Sequence, residues 1–165
     1  MSSSAGRAIA SADYLEQATQ LTAARDDRLR EIYLGKWQGL TREEAAERFP
    51  DEHDAWMRGE DVRRGGGETY REVGARAGAA LGEALQPVPG GGLLVAVTHG
   101  GTTRAVIGTM LSLPPEHWWR LAPLGNARWS LLVEGGRGWR LAEHNAGVTE
   151  AFTALVESGD DTRTA

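Results

Sequence analysis

Residues 93–101 read Leu-Leu-Val-Ala-Val-Thr-His-Gly-Gly, and the fold is decided there. Residues 93–98 are a near-continuous apolar run without the alternation of a half-exposed strand. Such a run predicts a strand buried on both faces, as in a parallel sheet covered by helices. The glycines after His99 turn the chain into a helix predicted over residues 102–111, which Pro114-Pro115 keeps from continuing. The expected fold is α/β and three-layered, with helices on both faces of a mostly parallel sheet.

On the N-terminal side, Ala8, Ala12, Leu15 and Ala18 recur at helical spacing, predicting a helix over residues 6–20 with Ser4 as N-cap. Residues 28–32 read as a short strand or extended segment. Thr41-Arg42-Glu43-Glu44 is a capping box opening a helix to about Phe49, and Asp51 opens another that contains Trp56. Residues 63–67, Arg-Arg-Gly-Gly-Gly, form a loop by composition. Tyr70, Val73, Ala77, Ala80, Leu81, Ala84 and Leu85 make one apolar stripe, the strongest helix in the chain. Residues 128–134 and 139–144 flank Gly135-Gly136 and predict an antiparallel hairpin on the sheet edge. The reading is one domain over residues 1–152 and a polar tail over 153–165. Its sheet is short of strands: one buried parallel strand and an edge hairpin leave backbone groups unpaired. A further piece of the fold is therefore expected upstream of Met1.

The chain has 165 residues, no cysteine and a net charge of -5. Disulfides, thiolate metal sites and a cysteine nucleophile are excluded. The acidic balance argues against a nucleic-acid partner. No apolar run reaches the roughly 18 residues that span a bilayer, and residues 1–17 lack a secretory apolar core. No membrane association and a cytoplasmic location are expected. Oligomeric state is not encoded in any readable pattern.

Three residues carry candidate chemistry. His99 stands where a strand ends and a helix begins, so free N–H groups and the positive end of the helix dipole make a natural phosphate site. It either holds a phosphoryl group there or is a polar strand-end residue satisfied by hydrogen bonds. The lipase-type use of His-Gly-Gly as an oxyanion hole needs a Gly-x-Ser-x-Gly elbow, which is absent. Arg7 opens the first helix, against the dipole preference, and either reaches an anion or lies on the surface. Glu31, beside the Gly35-x-Trp37-x-Gly39 frame, is a general acid if held near a phosphate, or else an exposed partner of a neighbouring arginine. His53, His117 and His144 lack metal-ligand spacing and read as surface or packing residues. Trp118 and Trp119 either line a substrate mouth or pack in the core or its rim.

Taken in order, the motifs resemble the histidine phosphatase superfamily, also described as phosphoglycerate mutase-like. They are Ser3-x-x-x-Arg7-Ala8-x-x-x-Ala12, then Arg28-Leu29-x-Glu31-x-x-x-Gly35-x-Trp37-x-Gly39, then Gly67-Glu68-Thr69, then His99-Gly100-Gly101. Leu124-Gly125-Asn126 and Trp139-Arg140-Leu141 with Asn145 extend the resemblance to residue 145. It implies that Arg7 is a phosphate-binding arginine, Glu31 the proton donor and His99 the second histidine on the transferring phosphoryl group. It also implies a backbone donor from Gly100, a substrate contact from Trp37, and a structural Glu68. The implied substrate is a small phosphorylated molecule, and neither a cofactor nor a metal is implied.

The family's hallmark, a strand ending in Arg-His-Gly whose histidine attacks phosphorus, is absent, because none of the four histidines stands in that context. Either the protein continues upstream of Met1, which the sequence favours, or the chain is a non-catalytic relative that binds phosphorylated ligands or a protein. The intact form is expected to hydrolyse phosphomonoesters through a phosphohistidine, and residues 1–165 alone to be inactive. A cofactor-dependent mutase ranks lower because the segment from Gly39 to Gly67 is short. Trp37, Arg63, Arg64 and Trp118 are the candidates for specificity.

Overall fold

The computed structural model describes residues 1–147. Its order is β1 (Ser2–Ser3), α1 (Gly6–Thr19), β2 (Arg25–Asp26), α2 (Arg42–Arg48), α3 (Pro50–Met57), α4 (Tyr70–Leu85), α5 (Gly100–Met110), β3 (Trp129–Gly135) and β4 (Gly138–Ala146). The domain boundary expected at 152 and the polar tail lie outside the described residues.

The parallel part of the sheet is small. β1 pairs with β2, Ser2 opposite Arg25 and Ser3 opposite Asp26. On its other side β1 meets the apolar run in one parallel bridge, Ser2 to Val97. Three bonds tie that edge: the Met1 ammonium donates to the Val95 carbonyl at 2.8 Å, Val97 N–H to Met1 at 3.1 Å, and Ser3 N–H to Val97 at 2.8 Å. β1, set between two neighbours, is fully buried at Ser2 and Ser3.

Residues 93–98 therefore depart from the expected two-sided strand. Leu93 is 74% exposed and Val95 50%. The reason is local: the groups of residues 95 and 97 face β1, whereas the main-chain groups of Leu94 and Ala96 face the other way and find no partner among the described residues. A strand hydrogen-bonded on one edge only remains open to a further strand.

Other differences are smaller. Ala5, not Ser4, is the N-cap of α1, with no side-chain bond, because Ser4 Oγ is committed to Asp27 Oδ1. The expected strand at 28–32 lies earlier, in β2, and a 3-10 turn follows at Asp27–Leu29. α5 begins at Gly100, earlier than expected. The predicted capping box at Thr41/Glu44 forms, and a second, not anticipated, forms at Thr69/Glu72. The hairpin pairs antiparallel from Trp129 opposite Ala146 to Gly135 opposite Gly138, but as a separate two-stranded sheet rather than on the edge of the parallel one as expected.

The core has two parts. Leu29, Ala77, Ala80, Leu81 and Val106 join α4 to α5 against Met1, Leu94 and Ala96, while Ile32, Leu34, Trp37, Ala45, Val73, Ala105 and Trp118 form a second cluster. α4 and α5 approach closely because small residues face each other; a Cβ on Gly74 would lie 2.2 Å from Thr109 Oγ1. This packing fixes the amino end of α5, where the candidate site lies.

Candidate functional site

His99 is the N-cap of α5, extended at φ -128° and ψ 164°, and 7% exposed. Arg7 lies in the first turn of α1, which β1 delivers to the same place. Its Nε is 3.2 Å from His99 Nδ1, and Ser3 Oγ is 2.9 Å from His99 Nε2. A guanidinium only donates, so Nδ1 accepts and Nε2 carries the proton. The ring is the neutral form, and its pKa sits below the ordinary histidine value. Burial is the main cause; Glu31 opposes it, and the charges of Arg7, Arg30 and Arg76 add to it.

Glu31 comes to the same helix end. Its Oε1 accepts from Thr102 N–H at 2.9 Å, Thr102 Oγ1 at 3.2 Å and Ile32 N–H at 2.9 Å; its Oε2 accepts from Gly101 N–H at 3.1 Å. The amides predicted to receive an anion are thus capped by the protein's own carboxylate. Thr103 N–H bonds the His99 carbonyl. Gly100 N–H remains without a partner among the described residues, beside Arg7 and His99. A carboxylate at a helix amino end is favoured by the dipole, which holds Glu31 at the end of α5 that His99 caps.

Sequence reading missed what holds Glu31. Arg76, on α4, donates to both oxygens of Glu68 at 2.7 and 2.9 Å and to the carbonyls of Arg28 at 2.6 Å, Arg30 at 2.9 Å and Glu31 at 3.3 Å. Glu68 also accepts from Tyr33 N–H at 2.9 Å. The only signal was the Gly67-Glu68-Thr69 motif, which names one half of this clamp. The contacts of Ser3 with His99 and of Thr102 with Glu31 were missed as well; Ser3 stands in the quoted motif, but no role followed from it.

The remaining candidates sit elsewhere. Trp37 is 6% exposed, packs with Phe49, His53 and Trp56, and makes no hydrogen bond to His99, Arg7 or Glu31. An indole so deep in the core is not a surface for substrate. Trp118 is buried, its Nε1 donating to Leu113, whereas Trp119 is exposed under Arg120. His144 bonds Ser130 and the Ala122 carbonyl. A cavity of about 440 Å³ lined by Leu113, His117, Arg120 and Leu121 is apolar and shares no residue with the His99 group. Among the described residues, no cluster of histidines and carboxylates could hold a metal, and no helix is long and apolar enough to cross a membrane.

The sequence profile of the histidine phosphatase superfamily (branch 1) matches residues 1–147. A glucosyl-3-phosphoglycerate phosphatase of Mycobacterium tuberculosis is 36% identical over 139 residues, covering 80% of this chain and 62% of that protein. A 2,3-bisphosphoglycerate-dependent phosphoglycerate mutase of Mesorhizobium japonicum is 34% identical over 91 residues, covering 54% and 44%. A mycobacterial glucosyl-3-phosphoglycerate phosphatase solved with VO3 superposes with a TM-score of 0.79 at 35% identity, over 88% of this chain and 74% of the other. The chain thus spans about 62% of the length of the first curated relatives.

Proposed function

This chain belongs to the histidine phosphatase superfamily (branch 1), and from that premise we propose that it is the larger part of a phosphomonoesterase working through a phosphohistidine. The observation that carries the reading is Arg7 Nε at 3.2 Å from His99 Nδ1, beside the free Gly100 N–H of α5. Arg7 and the Gly100 amide are two donors converging, beside the His99 ring, where a phosphoryl group would sit, at the helix end that favours negative charge.

A nucleophilic histidine would be carried by a strand lying along the open edge of Leu94 and Ala96, parallel to residues 95–97. No Arg-His-Gly occurs in residues 1–165. The proposed source is polypeptide outside the given sequence. In the first step the histidine nitrogen attacks phosphorus, the ester P–O bond breaks, and Glu31 gives its proton to the leaving oxygen. Next, water attacks phosphorus, the P–N bond breaks, and the Glu31 carboxylate takes the water proton. The Gly101 and Thr102 amides hold Glu31 at the amino end of α5 and favour its carboxylate, the form that takes the water proton in the second step.

The substrate is a small phosphorylated metabolite, and a glycosylated phosphoglycerate is the first to try, from the names of the relatives. Mutase chemistry is less favoured, because the segment between Gly39 and Gly67 is short, holding α2, α3 and one 3-10 turn at Arg64–Gly66. A cytoplasmic location is part of the proposal. The test is binding of inorganic phosphate to the 165-residue chain, followed by calorimetry, with Arg7→Ala. Binding that falls at least tenfold in the variant supports the site; equal binding by both proteins rejects it. A chain that binds phosphate but stays inactive with every strand supplied would be a binding module.

A further inference from the structure

Two parts of the sequence motif, Leu124-Gly125-Asn126 and Asn145, meet beside the phosphate site. Asn145 Oδ1 accepts from Gly125 N–H at 2.9 Å, across 20 residues. His144, next to it on β4, donates from Nε2 to the Ala122 carbonyl at 2.8 Å, and its Nδ1 meets Ser130 Oγ at 2.9 Å. From the other side, Arg104 on α5 donates its Nε–H to the Leu121 carbonyl at 3.1 Å. Residues 121–125 are thus held at three backbone groups by side chains of two elements.

The end of β4 is built to aim Asn145 there. Trp129 pairs with Ala146 but Leu131 with Glu143, so β4 carries one residue more than β3 over this step. The extra residue makes a β-bulge, which turns a side chain off the ladder. Asn145 lies in it at φ 54°, and Ala127, in the turn closed by Arg128 N–H on the Gly125 carbonyl at 3.2 Å, at φ 55°. Left-handed backbone is costly for a residue with a Cβ, least so for asparagine, and persists where surrounding contacts fix it.

What the held turn touches gives it a role. A Cβ on Gly100 would lie 3.4 Å from the Leu124 carbonyl oxygen and 3.9 Å from its nitrogen, so the Leu124 main chain rests against the first residue of α5. We propose that Asn145 is a positioning residue of the phosphate site: through Gly125 it sets the Leu124 turn against Gly100, whose amide receives the phosphoryl group. Asn145 touches no reacting atom and acts through the turn. The inference rests on the phosphate-site reading above. A loosened turn leaves only a fraction of molecules with the site formed, and apparent affinity falls by that fraction. One net hydrogen bond corresponds to about fivefold in such an equilibrium.

The test is calorimetric titration of the 165-residue chain with inorganic phosphate, with the Gly100 amide followed by heteronuclear NMR. Asn145→Gly removes the acceptor but suits the left-handed bulge, so it should melt within about 3 °C of the parent. Its phosphate affinity should fall about fivefold, and its ligand-free Gly100 resonance should move. Asn145→Asp keeps an oxygen for Gly125 N–H and tolerates the same backbone. Its ligand-free Gly100 resonance should stay closer to the parent position than that of Asn145→Gly. An affinity within about twofold of the parent in Asn145→Gly, or a Gly100 resonance that does not move, overturns the positioning role and leaves the phosphate site intact. An Asn145→Gly chain that fails to fold, or melts far below the parent, assigns Asn145 to the hairpin and also overturns it. A parent chain that does not bind phosphate refutes the phosphate site itself, and the positioning role with it.

Discussion

Arg76→Met should loosen the segment that carries Glu31, and its cost follows from the bonds it removes. Arg76 spends its donors on the Glu68 carboxylate and on the carbonyls of Arg28, Arg30 and Glu31. The side chains of the ion pair are 22% and 25% exposed, so solvent screens the pair only partly. Hydrogen bonds to charged groups contribute about 1.5–3 kcal/mol each, but bonds made by one side chain do not add, so the total loss is about 2–3 kcal/mol. For a domain of this size that lowers Tm by about 5–10 °C at pH 7. The deficit depends on pH in a defined direction. Burial pushes the Glu68 carboxyl up, yet the Arg76 bonds and the Tyr33 N–H outweigh it and hold the carboxyl below the usual glutamate range. A depressed folded pKa contributes stability above the unfolded value of about 4.3, and that stability is lost as pH falls through the folded value. The gap between parent and variant should therefore narrow below that pH. Thermal melts followed by circular dichroism at pH 7 and pH 4 measure both. A shift under about 2 °C at pH 7, or a deficit as large at pH 4, would refute the reasoning.

Other perturbations have equally definite outcomes. Gly108→Ala places a Cβ 2.3 Å from the Trp118 ring, and overpacking there should cost about 2 kcal/mol or more, read as a lower urea midpoint; an unchanged midpoint contradicts the packing. Thr69→Ala removes the cap of α4, whose Oγ1 accepts from Glu72 N–H at 3.2 Å, and should cost about 1 kcal/mol by the same assay, with α4 amides exchanging faster. The His99 imidazole should titrate below the ordinary histidine range by NMR, and Arg7→Ala, which deletes one of the positive charges that lower it, should move the midpoint up; a downward move would be wrong in sign. Because the folded pKa is the lower one, protonation of His99 should cost stability as pH falls through the unfolded value of about 6.5.

What the sequence revealed depended on how local the determinant was. The α4 stripe, the Thr41/Glu44 box and the hairpin about Gly135-Gly136 follow from residues within a few positions of each other, and all three form. The two-sided burial expected for residues 93–98 did not, because burial depends on what lies beyond the Leu94 and Ala96 edge, and no local pattern reports a neighbour. His99 and Arg7 were found from their places at helix and strand ends and Glu31 from the Gly35-x-Trp37-x-Gly39 frame beside it, and the structure brings the three together. Glu31 as the cap of α5 was invisible, since its bonds to Gly101 and Thr102 cross about 70 residues. Trp37 looked like a binding residue because aromatic residues serve both cores and ligands; only packing against Phe49, His53 and Trp56 separates the two. Arg76 was hidden for the same reason, as sequence does not display the partners of an arginine.

The most direct test of the account is hydrolysis of p-nitrophenyl phosphate by the 165-residue chain, alone and with an Arg-His-Gly strand fused through a flexible linker. The account predicts no turnover alone. With the strand present it predicts turnover, with phosphate on the added histidine, lost on Arg7→Ala and on His99→Ala. Turnover by the chain alone that His99→Ala abolishes would make His99 the nucleophile and contradict the account. Silence from the fused protein while it still binds phosphate would contradict it from the other side.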